Sequence, residues 1–448
     1  MSGTFDESNH LATGLEWWQF GTYTMWTENP PLPRLAVAAL PYAYGMRLPP
    51  REEWEPKTHE WYRSWEVGSD LLYAGTGFEE NLARARLGTL PFFLIALASA
   101  WGLAGGRRRP VAGFVAVALI STFPAFIAHG ALATTDMAFA GMFLLATLAL
   151  ARWCEGPSTG RALSLGASVG LALLCKFSLL VFFPVTVLAF VVARRIARLP
   201  ARPITRDAGQ DVVLGWSSCA EQVGLALLAM GLVTWAGYRF SVGRIGDLAP
   251  EVKDWVAILP PVANRVGVVG WLLRVPLPMP ELWHGLRFLA AHDAFGHDAY
   301  LLGKNSEHGF VAFYPIALLV KTPLPFLVLL LLCAAVLARR RPSLWPAQAV
   351  ALAALGILLL SLRSHVNRLL SAAPELDLKK WTAAVDLTAD RVGFVLANDL
   401  EIATALVRAS PDEASAVAQK DRLKELTLFS VSESYFALRH KLGIAIGD

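Results

Sequence analysis

The sequence predicts an all-α, polytopic transmembrane protein, and three observations carry that prediction. Of its 448 residues, 55% are hydrophobic and 17% charged, with a mean hydropathy of +0.45, which is more apolar than soluble chains of this length run. Apolar runs recur at about 87–104, 111–128, 131–151, 161–193, 222–240, 311–338 and 345–362, most reaching or approaching the roughly 20 residues that a spanning helix needs. Lysine and arginine gather in short clusters at the ends of these runs, where they set topology.

Taken in order, residues 1–86 form an acidic, Trp-rich stretch ahead of the first long run. Within it the segment 35–48 is too short to span and follows a Pro-rich entry, so it reads as an interfacial helix. Trp17, Trp18, Trp26, Trp54, Trp61 and Trp65 suit the same boundary, where amphipathic rings collect. No apolar run separates Met1 from the acidic stretch, so the reading expects a first transmembrane helix to be missing.

Residues 87–362 hold the apolar runs. The run 161–193 is interrupted by Lys176, which predicts two spans meeting at a polar point and brings the total to eight. Arg107 to Arg109, Arg152 with Arg161, Arg194 with Arg195 and Arg198, and Arg339 to Arg341 can all lie on one side, the cytoplasmic one. Residues 1–86, the loop 129–136, the Lys176 break and the segment 241–310 then fall on the outer face. From about 363 to Asp448 the chain turns charged with helical periodicity and reads as a small soluble helical unit.

Several classes of function are disfavoured. The net charge of +4 comes largely from helix-end clusters, so no nucleic-acid partner is expected. Cys154, Cys175, Cys219 and Cys333 show neither CxxC nor metal-ligand spacing. No Gly-rich phosphate loop is present, hence no nucleotide cofactor, and no HExxH supports a peptidase. A secondary transporter would be expected to show an internal repeat, which is not visible.

The chemistry-bearing residues lie on the predicted outer face. Asp6 and Glu7 stand beside a low-dielectric boundary, where a carboxylate can serve as a base or ligand; at a helix start an Asp also reads as an N-cap. Asp136, after Thr134-Thr135, has the same double reading. Lys176 lies in an apolar run, where an ammonium needs an anionic partner or a route to water. Arg84 and Arg86 precede the first full span, against the positive-inside trend, and could hold a phosphate or pair with Glu79 and Glu80. Glu28 precedes a Pro turn.

The runs FDESNHLATGLEWW, TENPPLPRLAVAALP, HGALATTDMAFAGMFLLA, LALLCKFSLLVFFP and GHDAYLLGKNSEHGFVAFYPIALLVKTPLP together resemble the dolichyl-phosphate-mannose protein mannosyltransferase and aminoarabinose transferase superfamily, membrane glycosyltransferases of the GT-C fold, over roughly residues 4–338. The resemblance implies transfer of a sugar from a polyprenyl-phosphate donor to an acceptor at the outer membrane face. It implies Asp6 as the general base, Glu7 as the second acid of its motif and Asp136 as a further essential acid. It also implies a basic residue, Lys176, for the donor phosphate. Lys304 or Lys321 could add to that role, Lys304 being favoured because it lies in a loop. Glu28 and His297 match positions near a divalent metal in relatives; His292 and His308 lie in the same outer segment. The chain is thereby expected in the bacterial inner membrane with its site facing outward, with the bilayer and the lipid-linked donor as partners. An inactive scaffold whose tail binds a partner is the alternative.

Overall fold

The computed structural model describes residues 3–54, 63–75, 77–200, 202–207, 210–244, 275–295, 299–301, 304–306, 310, 313, 316, 320, 322–329, 345–357, 378–410 and 417–441. It divides into two compact units, Met1–Phe295 with Tyr314–Ser361, and Gly296–Phe313 with Leu362–Asp448.

The first unit opens with α1 (Phe5–Phe20), α2 (Leu32–Ala43), the single turn α3 (Arg51–Trp54), α4 (Arg63–Tyr73) and α5 (Phe78–Leu87). These helices bury Leu11, Leu15, Val37, Val67, Leu72 and Leu82 in a core of their own. The close approach of α2 to α1 depends on Gly14, where a Cβ would stand 2.1 Å from the Arg34 carbonyl oxygen. α2 is the helix expected at 35–48, displaced toward its Pro-rich start because Pro33 suits a first turn.

The apolar helices follow as α6 (Leu90–Leu103), α7 (Pro110–Ser121), α8 (Pro124–Gly130), α9 (Thr135–Glu155), α10 (Thr159–Leu173), α11 (Leu179–Ile196) and α12 (Trp216–Gly237). α13 (Pro280–Phe295) and α14 (Trp345–Ile357) lie farther along this unit. Among the described residues four helices are long and apolar enough to cross a membrane: Phe78–Leu103, Thr135–Glu155, Leu179–Ile196 and Trp216–Gly237. α7 and α8, bent by 69°, would make a fifth. The expectation of eight spans is larger for physical reasons that can be located. Pro124 splits the run 111–128 by removing a backbone donor, α10 is only 15 residues long, and most of 311–338 lies outside the described residues.

The break inside 161–193 is present. α10 ends at Leu173 and α11 begins at Leu179, and the Leu174 carbonyl freed by the break accepts the Leu32 amide at 3.0 Å. Three of the basic positions meet at the other end of α9: Arg161 donates to the carbonyls of Arg152 and Gly156, and Arg194 to that of Cys154. Asp136 and Arg152 thus mark opposite ends of a helix about 30 Å long.

Three short antiparallel pairs add the only described strands, the hairpin β1 (Ile204–Asp207) with β2 (Gln210–Val213), the pair β3 (Val242–Gly243) with β4 (Leu277–Pro278), and, in the second unit, the hairpin β5 (Ala299–Leu301) with β6 (Lys304–Ser306). The second unit otherwise comprises α15 (Leu378–Ala397), α16 (Leu400–Ala409), α17 (Gln419–Ser430) and α18 (Glu433–Lys441) around Phe394, Ala403, Val407, Leu426 and Tyr435. A two-pronged Arg422–Asp390 pair, at 2.8 and 2.6 Å, ties α17 to α15.

α10 and α12 pack closely enough that a Cβ at Gly166 would fall 1.9 Å from the Ala226 carbonyl oxygen. Gly166→Val is therefore expected to destabilise the protein by about 1–3 kcal/mol, read as a lowered unfolding midpoint in detergent. Gly160→Ala, where the added methyl meets nothing within 4 Å, should not lower it.

Candidate active site

α1 is capped by Thr4, with Glu7 three residues on, so the capping role that Asp6 could have filled is already taken. Glu7 then does more than close a turn. Its carboxylate, 1% exposed, accepts from Arg86 Nε at 2.7 Å and Nη2 at 2.8 Å, from the Ala133 amide at 2.8 Å and from the Thr4 amide at 2.7 Å. One buried side chain thus joins α1 to α5 and to the loop that leads into α9. Burial alone would raise its pKa, but the Arg86 guanidinium and the two amides outweigh burial and hold the carboxyl below its ordinary range.

Asp6 is exposed, and among the described residues its carboxylate accepts no hydrogen bond and forms no ion pair. It sits one residue from the Glu7 junction, at the end of α1 that meets the loop before α9.

That loop delivers Asp136. With Thr134 as N-cap, Asp136 falls in the first turn of α9, and its Oδ1 accepts from Lys176 Nζ at 2.8 Å while His129 Nδ1 stands 3.6 Å from Oδ2. Lys176 is 35% and Asp136 46% exposed, so the pair faces open space. The ammonium expected to need an anionic partner has one, and retains further N–H groups for a second.

On α1, one turn beyond Asp6, the buried His10 accepts from Arg34 Nε at 3.1 Å through Nδ1. Burial, then the charges of Arg34 and Lys176, drive the ring's pKa well below the ordinary value. Arg34 is fully buried and also donates from Nη1 to the Tyr23 hydroxyl and the Trp26 carbonyl.

Glu16, also buried, fastens the following loop by accepting from the amides of Thr24 and Met25 and from the hydroxyls of Thr22 and Thr24. Thr27 is bound to His284 of α13 at 2.7 Å. His284 is neutral over the physiological range, because burial and the neighbouring Arg287 depress its pKa to about 4.

The other sequence-predicted residues fall as follows. Arg84 pairs with Glu80 and stacks on Tyr44, and Arg86 is engaged by Glu7. Glu28 accepts from the Trp26 indole at 2.9 Å. Among the described residues no three His, Cys, Asp or Glu side chains converge to hold a metal ion, so the described set around Glu28 does not fit one. Lys304 pairs with Leu301 in the β5–β6 hairpin of the second unit; its side chain, His297, His308, Lys321 and the His292 side chain lie outside the described residues. The tryptophans expected at the interface are partly spent on packing: Trp17 and Trp18 donate to the carbonyls of Gly237 and Leu35.

His10 and Arg34 were not singled out from the sequence. The available signals were the three-residue spacing of Glu7 and His10, which puts both on one helix face, and an arginine inside the apolar run that follows PPLP.

Glu7→Gln removes one partner of a buried pair and is expected to cost about 3 kcal/mol. A carboxyl depressed by folding contributes stability that is full above the unfolded value near 4.5 and is lost as pH falls through the lower folded value. Unfolding midpoints measured from neutral pH downward should fall in wild type below that point, and this acid limb should flatten in Glu7→Gln.

Comparison with known proteins places part of this region. No curated protein and no solved structure matches the chain. Residues 77–205, from the start of α5 to β1, match the sequence model described as dolichyl-phosphate-mannose-protein mannosyltransferase. The matched segment contains Arg84, Arg86, Asp136 and Lys176, whereas α1 with Asp6 and Glu7 precedes it. Over residues 77–205 the chain is thereby similar to the dolichyl-phosphate-mannose-protein mannosyltransferase family, a similarity that together with its apolar helices supports a membrane glycosyltransferase of the GT-C type.

Proposed function

We propose that the chain transfers a sugar from a polyprenyl-phosphate donor to an acceptor hydroxyl or amine, at the membrane face opposite the Arg152, Arg161 and Arg194 end of α9. The observation that best supports this reading is the grouping at one end of α9. An exposed carboxylate with no partner among the described residues, Asp6, is tied through Glu7 to the loop that carries Asp136, which in turn holds a part-exposed lysine.

The reaction needs two things of the protein. The acceptor must lose a proton, and the negative charge growing on the departing phosphate must be met. Asp6 takes the acceptor proton as the acceptor oxygen or nitrogen bonds to the anomeric carbon. The bond from that carbon to the phosphate oxygen breaks, and the lipid phosphate leaves with the electron pair. Lys176 faces the phosphate, aimed by Asp136. Arg86 is spent on the buried Glu7 and Arg84 on Glu80 within its own helix, whereas Lys176, though paired with Asp136, is part-exposed and keeps further N–H groups, so Lys176 is the cation assigned here to the leaving group. A single displacement inverts the anomeric centre. The outer face of the bacterial inner membrane is the setting this reading implies.

Asp6→Asn keeps size and exposure but cannot accept the proton. In lipid-reconstituted protein supplied with a panel of radiolabelled polyprenyl-phosphate sugars and membrane acceptors, it should lower transfer by about 10²- to 10⁴-fold with an unchanged unfolding midpoint. Full activity in Asp6→Asn would remove Asp6 from the role of base. Absence of transfer by folded wild type with every donor would contradict the glycosyltransferase reading.

A further inference from the structure

Arg34 is buried at 0% exposure, and no carboxylate lies within ion-pair distance of it among the described residues. Its Nη2 is buried without a hydrogen-bond partner. An arginine is not deprotonated in a protein, and an uncompensated buried charge is costly. Polar atoms here outnumber their partners, since Asn9 Oδ1, on the residue before His10, and Thr134 Oγ1, two residues before Asp136, are likewise buried and unpartnered.

His10 connects this charge to the site. Arg34 can only donate, so His10 Nδ1 is the acceptor and the ring proton resides on Nε2. Among the described residues Nε2–H has no protein acceptor. The Leu32 amide bonded to the Leu174 carbonyl brings the start of α2 to the break that carries Lys176, and Lys176 acts on the His10 ring electrostatically; a neutral N–H donor is thus under the influence of two cations, of which Arg34 has no counter-ion among the described residues. That combination of donors and uncompensated positive charge is complementary to an anion.

We propose that His10, oriented by Arg34, donates through Nε2–H to the phosphate of the lipid-linked donor alongside Lys176, and that Arg34 is the positioning residue whose charge the bound phosphate compensates. This rests on the donor reading given above. It adds two residues, both outside the family-matched segment, to the phosphate seat.

The test is equilibrium binding of farnesyl phosphate, with farnesol and inorganic phosphate as comparators, to the full chain in lipid nanodiscs. His10→Phe should weaken farnesyl phosphate about tenfold, the loss of one hydrogen bond to a charged group, and leave farnesol unchanged. His10→Gln, which keeps an N–H near the Nε2 position, should recover most of the loss. Arg34→Gln should weaken farnesyl phosphate at least as much as His10→Phe. Unfolding midpoints identify any variant that fails to fold, and His10→Gln against His10→Phe then decides.

If Lys176→Met loses binding while His10→Phe binds as wild type, the inference fails and the donor reading stands. If Lys176→Met also binds as wild type, the donor reading itself fails. Inorganic phosphate binding as tightly as farnesyl phosphate would overturn the assignment to a lipid-linked ligand.

Discussion

The arrangement depends on the buried carboxylate of Glu7. α1 is a poor helix to bury on its own terms, since its inward face carries Glu7, Ser8, Asn9, His10, Thr13 and Glu16 beside Leu11 and Leu15. A polar face can be buried only where partners satisfy it. Glu7 and Glu16 receive four hydrogen-bonding groups each, Glu7 from α5, the loop before α9 and the Thr4 cap of its own helix, Glu16 from the loop after α1. The anionic partners are what position the chain, and the active-site candidates follow from where they place it.

The positioning bears on the proposed chemistry. Carboxylates spent on structure are separated from a carboxylate left exposed: Glu7 is saturated with donors and held ionised, while Asp6 next to it has none among the described residues. Adjacent acids on one helix turn thereby acquire different properties from different surroundings, as a site needs when one group anchors and another exchanges a proton. The Lys176–Asp136 pair, part-exposed at the α10–α11 break, gives an ammonium within an apolar run the anionic partner it needs, and the proposed phosphate would approach it from the exposed side.

Much of this was legible in the residues. The span at 131–151 is present as Thr135–Glu155, and the polar interruption at Lys176 is a real helix break. Lys176 was expected to need an anionic partner or a route to water, and it has both, being paired with Asp136, a residue chosen on other grounds, and part-exposed. What the sequence could not show is which of several acids is consumed by tertiary partners. Arg86 is 79 positions from Glu7 and Ala133 is 126 away, and no local periodicity encodes such pairings. Thr4 rather than Asp6 caps α1 because the helix starts two residues earlier than an Asp6 cap would require. The bend between α7 and α8 was signalled by Pro124 but is hidden within an uninterrupted apolar run.

The central claim is a single displacement at a lipid-phosphate-linked anomeric centre with a protein carboxylate taking the acceptor proton. The most direct measurement is the anomeric configuration of the product, read by NMR from donor of known configuration after transfer by the reconstituted protein. Inversion is the result this account predicts. Retention would require a covalent or otherwise two-step route and would contradict it.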